Sequence, residues 1–148
     1  MSGENVDNRF EQPTGGSTDN PLVLGGTVKT PTGANLKTKL VAVAIGDVST
    51  AGSVFVVPGV AGTIVKISNV IDAAITAADA GLTFEIGGTA VTGAGITITQ
   101  SGSAIGDVDQ STPSALNVIT AAEAIEVVKD GLSTTTSNGV VTFEILPS

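Results

Sequence analysis

From Lys39 to the C-terminus the chain is a succession of short β-branched runs cut by Gly, Pro, Asp and Ser, and this punctuation restricts it to strands joined by turns. Residues 40–45, 53–57, 63–71, 82–86, 96–100, 124–129 and 140–146 are the predicted strands. In several of them apolar and polar residues alternate. Leu82, Phe84 and Ile86 oppose Thr83 and Glu85; Ile96 and Ile98 oppose Thr97 and Thr99; Val141, Phe143 and Ile145 oppose Thr142 and Glu144. Successive side chains of a strand point to opposite faces, so each of these strands has one dry face and one wet face. The fold class expected is all-β, an antiparallel β-sandwich or jelly roll. Phe55, Phe84 and Phe143 fall in predicted strands and are expected in its core. Gly87-Gly88 and Gly93-Ala94-Gly95 are expected in hairpins, where positive φ is needed. Residues 72–79 (DAAITAAD) and 119–124 (ITAAEA) are rich enough in alanine for a helical turn, which is the alternative there.

Residues 1–36 read differently. They are rich in Gly, Thr, Asn and Pro, and their apolar residues are scattered: Val6, Phe10, and the run Leu22-Val23-Leu24 after Pro21. So little apolar surface does not offset the entropy lost on ordering the segment. The chain therefore divides into an extended N-terminal arm, 1–36, and a sandwich domain, 37–148. An arm held on a fixed path needs anchors, and Val6, Phe10, Pro21, Leu22, Val23 and Leu24 are the candidates. Burying a Phe or Leu side chain contributes roughly 1.5–3 kcal/mol. These residues are expected to sit in apolar depressions of a partner protein or a neighbouring copy.

Composition narrows the functions open to such a chain. Charged residues make up 14% of it, against roughly 25% in an average soluble protein. An isolated sandwich so thinly charged would leave much apolar surface in water, so a homo-oligomer or a large docking surface is expected. The net charge is −8 and no basic cluster occurs, which argues against nucleic acid and anionic membranes as partners. No stretch of about 18 apolar residues occurs, and the first residues, MSGENVDNRFEQ, lack the basic and apolar regions of a signal peptide. Synthesis in a cytoplasm is expected.

Histidine and cysteine are both absent, which removes the usual general base, the thiol nucleophile and nearly all transition-metal ligands. Lys66 or Lys129 could activate a serine, but each lies in a predicted strand and reads more simply as a solvent-facing lysine. Asp107 with Asp109, Asp72 with Asp79, and Glu123 with Glu126 are carboxylate pairs of the kind glycoside hydrolysis uses. Without Trp or Tyr there is almost nothing on which to stack a sugar. The run Gly106-Asp107-Val108-Asp109-Gln110-Ser111 spaces two carboxylates and a hydroxyl as a Ca²⁺ loop does, but lacks that loop's glycine and distal glutamate. It reads as a solvated acidic turn. No phosphate-binding loop is present. The expectation is a protein that is not an enzyme and has no cofactor.

Residues 54–145 carry a resemblance. Pro58-Gly59-Val60-Ala61-Gly62-Thr63-Ile64, the run LTFEIGGTAVTG at 82–93 and the Gly106-Asp107-Val108-Asp109 turn resemble the small decoration, or cement, proteins of tailed-bacteriophage heads. The resemblance covers about two thirds of the chain; Ala121-Ala122-Glu123 stands where a Gly-Asp turn is more usual, leaving the turn before Ala124 open. It implies a jelly-roll-like trimer on the outer surface of the capsid, at three-fold or quasi-three-fold positions. It also implies the major capsid protein as partner and a terminal extension that grips neighbouring capsid subunits. The alternative is a head fibre or adsorption module that binds cell-surface glycans, against which the missing aromatics speak.

Overall fold

The computed structural model describes residues 37–148, which form ten strands and, among the described residues, no helix. A front sheet contains β1 (Lys39–Asp47), β3 (Gly62–Ile71), β7 (Val108–Ser111), β8 (Val118–Ile119) and β10 (Asn138–Pro147). A back sheet contains β2 (Gly52–Val56), β4 (Ala80–Ile86), β5 (Thr89–Ala90), β6 (Ile96–Ile98) and β9 (Ile125–Lys129). The front strands run in the order β1-β10-β3-β7, with β8 paired to the start of β3; the back strands run β2-β9-β4-β5, with β6 paired to β4. All these pairings are antiparallel.

The alternation in the sequence is what packs the sheets together. Leu82, Phe84 and Ile86 of β4, Ile96 and Ile98 of β6, and Val141, Phe143 and Ile145 of β10 are all buried between them. Phe84 from the back sheet meets Phe143 from the front sheet edge to face, with ring centroids 5.7 Å apart and planes at 89°. Eleven of the buried residues are isoleucines, side chains whose β-branch suits a pleated surface. The expected all-β sandwich is the fold that forms. Asn69 is the polar exception within the core. It is fully buried, no described group hydrogen-bonds to its side-chain amide, and Gly139, two residues along β10 from its partner Val141, leaves room for it, since a Cβ there would lie 2.9 Å from Asn69 Oδ1.

Gly87 and Gly88 join β4 to β5 with φ of 56° and 78°, the pair of positive values that a tight two-residue hairpin requires.

One alternative is set aside and two expectations are corrected. Neither alanine-rich segment is helical. In 72–79 the backbone amides are taken by hydroxyls far along the chain: Ala73 N–H donates to Ser137 Oγ (3.2 Å), Ile75 N–H to Ser103 Oγ (3.0 Å) and Thr76 N–H to Thr135 Oγ1 (3.1 Å). Ile75 is drawn fully into the core. In 119–124, Ile119 pairs with Gly62 in β8, and the following residues turn so that Ala121 O accepts from Gly59 N–H (3.1 Å). Phe55 is not in the core: it is 61% exposed, because β2 turns Val54 and Val56 inward. The acidic run is a turn only as far as Asp107. From Val108 it is a strand, with Asp109 opposite Asn69.

Candidate docking surface

Pairing register lines up the outward residues of the front sheet in rows. Ala44, Val140, Val70 and Val108 form the first row; Ala42, Thr142, Ser68 and Gln110 the second; Leu40, Glu144 and Lys66 the third. Beyond them Thr63 is flanked by Leu146 on β10 and Val118 on β8. Leu40, Val70, Val108, Val118, Val140 and Leu146 are six of the eleven large apolar side chains exposed among the described residues, so apolar exposure is concentrated on this face. Its rows hold one acid and one base, Glu144 and Lys66, directly opposite each other. Behind the first row lies a hollow of about 330 Å³, lined by Ala44, Val70, Gly139 and Val140 with Asp72 and Asn138.

A second feature belongs to the same end of the sheet as Val118. Leu116 is 59% exposed with φ of 55°, a left-handed conformation that costs a non-glycine residue on the order of 1 kcal/mol or more. Both neighbours hold it there. Ala115 pairs with Thr92, and Asn117 binds Ile64 twice: its carbonyl accepts from Ile64 N–H (2.9 Å), and its Nδ2 donates to Ile64 O (2.7 Å).

The outward face of the back sheet has another character. Ser53 and Phe55 of β2 lie beside Val128 and Glu126 of β9, and these lie beside Thr83 and Glu85 of β4. Glu85 and Glu126 are directly opposite, two like charges that repel a second acidic surface.

Of the three carboxylate pairs, Asp107 and Asp109 stay near enough to feel each other's charge, whereas the members of the other two serve different places. Asp72 lines the hollow without Asp79, whose Oδ1 accepts from Gln100 N–H (2.7 Å). Asp107 Oδ2 accepts from Ala104 N–H (2.6 Å). Glu123 caps its own turn at Thr120, while Glu126 stands on the back face. Lys66 faces outward opposite Glu144, and Lys129 Nζ donates to Asp47 O (2.8 Å), tying β9 to the end of β1. Among the described residues no three carboxylates come together to hold a metal ion. Val6, Phe10, Pro21, Leu22, Val23 and Leu24, the expected anchors, lie outside the described residues.

Three aspartates tie the sandwich to pH. Hydrogen bonds from the Ser49 hydroxyl and amide, with Ser137 N–H, hold the Asp47 carboxyl below its usual range. The side-chain and backbone amides of Asn138 do the same for Asp72. Burial, with the charge of Asp107 nearby, pushes the Asp109 carboxyl up. The signs are opposite. Asp47 and Asp72 stabilise the fold above the unfolded carboxylate pKa, and that contribution is lost as pH falls through their depressed values. Ionised Asp109 opposes folding above its raised pKa, and the penalty lifts as pH falls toward the unfolded value. Asp109→Asn is therefore expected to raise the melting temperature at neutral pH, with the gain shrinking in mild acid. Melts across a pH series check this, and a loss of stability at neutral pH would mean that the ionised carboxylate has a favourable partner. Calcium that raised the melt of the wild type but not of Asp109→Asn would identify that partner.

The outward rows went unrecognised in the sequence, although one signal was present: β1 reads Leu40-Val41-Ala42-Val43-Ala44-Ile45, apolar on both faces. Compared with known proteins, the chain matches no family model, no curated protein and no solved structure.

Proposed function

We propose that this chain is a structural protein, a capsid decoration protein. It binds the outer surface of a tailed-phage head as a homotrimer at three-fold or quasi-three-fold positions, and it stabilises the head by clamping neighbouring major capsid subunits. One observation carries the reading: the front sheet turns a nearly uncharged, largely apolar face outward, in a chain whose net charge is −8. Such a face suits permanent contact with protein. The absence of histidine and cysteine from the sequence, the different placements of Asp72 and Asp79 and of Glu123 and Glu126, and the motifs at 58–64, 82–93 and 106–109 support the same reading.

The arm supplies the grip. Its six charged residues are of mixed sign, so apolar anchoring through Val6, Phe10 and the Pro21-Leu22-Val23-Leu24 run dominates and salt has little effect. Heads lacking the chain are mixed with purified protein and sedimented. Wild type is expected to travel with the heads, while Phe10→Ala and the pair Leu22→Ala with Leu24→Ala bind more weakly with an unchanged melt. Wild type left in the supernatant would sink the proposal; variants that bind as wild type does would move the attachment from the arm to the sandwich. Phe55, an exposed aromatic beside Glu126, favours the second reading, a glycan-binding adsorption module. A glycan screen with no binder at any sugar would end that reading.

A further inference from the structure

The sequence contains a single Asn-Gly pair, Asn138-Gly139, and packing explains the glycine. Gly139 is buried where β10 begins, and a Cβ on it would lie 2.9 Å from Asn69 Oδ1 and equally close to Cγ1 and Cδ1 of Ile45. The core therefore excludes a side chain at 139. That requirement has a chemical consequence for the residue before it. The main-chain nitrogen of a glycine is unshielded, so it can attack the side-chain carbonyl carbon of a preceding asparagine. The bond from Gly139 N to Asn138 Cγ forms, the Cγ–Nδ2 bond breaks, and ammonia leaves with the proton that the glycine nitrogen gives up. Water then opens the cyclic imide at either carbonyl, leaving aspartate or isoaspartate. Asn138 is exposed, so that water is at hand. Asn69 and Asn117 are each followed by valine, whose branched side chain shields the nitrogen.

We infer that Asn138 is a site of spontaneous deamidation and that Asp72 is the positioning residue that restrains it. The Asp72 carboxylate holds Asn138 at two points: Oδ1 accepts from the backbone N–H (2.7 Å) and Oδ2 from the side-chain Nδ2 (2.9 Å). Asp72 N–H in turn donates to Asn138 O (3.0 Å). An amide nitrogen donating to a carboxylate is fixed in orientation, and this bond must break before Cγ swings over Gly139 N and Nδ2 departs. The same contacts hold the Asp72 carboxyl below its usual range, so the clamp is ionised at neutral pH. Deamidation reverses the sign of the contact. A carboxylate at 138 would face the Asp72 carboxylate where a donor stood, and isoaspartate would add a methylene to the backbone between Ser137 and Gly139. Ser137 is anchored next door, its N–H on Asp47 Oδ1 (3.2 Å) and its hydroxyl on Ala73 O (2.8 Å), so a longer backbone loosens the start of β10. The hollow changes too: Asp72 is the sole acid among its lining residues, and Asn138 would become a second. None of this depends on what the docking face binds.

To test it, the full chain is incubated in mildly alkaline buffer well below its melting temperature. Mass spectrometry of the peptide carrying Asn138 follows the gain in mass as amide becomes acid. Folded wild type is expected to deamidate at Asn138 and at neither Asn69 nor Asn117. Its rate should be about tenfold below that of the chain unfolded in urea, the effect of one hydrogen bond to a charged group that must first break. Asp72→Ala, which removes both contacts, is expected to deamidate about tenfold faster than wild type for the same reason. If Asp72→Ala does not fold, Asp72→Asn carries the test, since it keeps an oxygen for the Asn138 N–H while its neutral amide releases Nδ2. Ile98→Val truncates the core in the other sheet, weakening the fold without touching the clamp, and should deamidate as wild type does. Equal rates in wild type and the Asp72 variants overturn the inference. So does a folded wild type that deamidates as fast as the unfolded chain, an Ile98→Val that keeps pace with Asp72→Ala, or an Asn138 that stays intact in every folded variant.

Discussion

Phe143→Ala is expected to destabilise the sandwich by about 3–5 kcal/mol, the usual cost of truncating a buried phenylalanine. Phe143 is fully buried at the centre of β10, the strand with β1 on one side and β3 on the other. Its ring is also the front sheet's half of the edge-to-face contact with Phe84, which adds roughly 0.5–1.5 kcal/mol beyond area. The chain has no Trp or Tyr, and the other described phenylalanine, Phe55, points away. Among the described residues no other aromatic can fill the space. Since small domains are stable by only about 5–15 kcal/mol, the variant should melt many degrees lower or be partly unfolded at room temperature. A urea titration followed by circular dichroism measures this. Phe84→Ala should cost a similar amount, and the double variant less than the sum of the two. A loss under about 1 kcal/mol for Phe143→Ala would mean that the sheets close over the gap, contrary to a core of stiff isoleucines.

Gly62→Ala should also be costly, despite adding only a methyl group. Gly62 opens β3 between two neighbours, Pro147 of β10 and Ile119 of β8. Its φ is an ordinary one that alanine accepts, so the penalty is not conformational. It is steric. A Cβ there would run into the Leu146 carbonyl oxygen and lie 2.9 Å from that carbonyl carbon and 3.0 Å from Ile145 Cγ2. Backbone cannot swing aside as a side chain can, so the ladder between β3 and β10 must shift. Overpacking of this kind costs about 1–3 kcal/mol, and the upper end is expected here because main chain is struck. Gly95→Ala is the control: its nearest contact would be Leu82 O at 3.9 Å, and its φ is also ordinary. Equal melting temperatures for the two variants would show that β10 has slack at Leu146. Gly62 belongs to the Pro58–Ile64 run, and the clash supplies a packing reason for a glycine at that place.

Where side chains of one strand alternate cleanly between apolar and polar, the sequence alone determined both the strand and its orientation. β4, β6 and the Val141–Ile145 part of β10 are such cases: a one-residue slip would put Thr83, Thr97 or Glu144 in the core, so a single register survives. The same holds for Gly87-Gly88, since few other residues accept two successive positive φ values. Where both faces of a strand are apolar, the pattern left the orientation undecided. Val54-Phe55-Val56-Val57 is apolar throughout, and only pairing with β9 turned Val54 and Val56 inward and left Phe55 in water.

The remaining features depended on groups distant in the chain. Alanine-rich residues 72–79 have helical propensity, but Ser103, Thr135 and Ser137 capture their amides and the core takes Ile75, which outweighs a preference of a few tenths of a kcal/mol per residue. Asp109 looked like part of a solvated turn until pairing with β3 set it against Asn69 and raised its pKa. The docking face follows the same rule. Ala44, Val70, Val108 and Val140 come from four separate segments, each unremarkable alone, and become one apolar row only because strands β1, β10, β3 and β7 pair in this register. Local alternation determines which residues leave water; the order and register of the strands decide which of the others are left side by side.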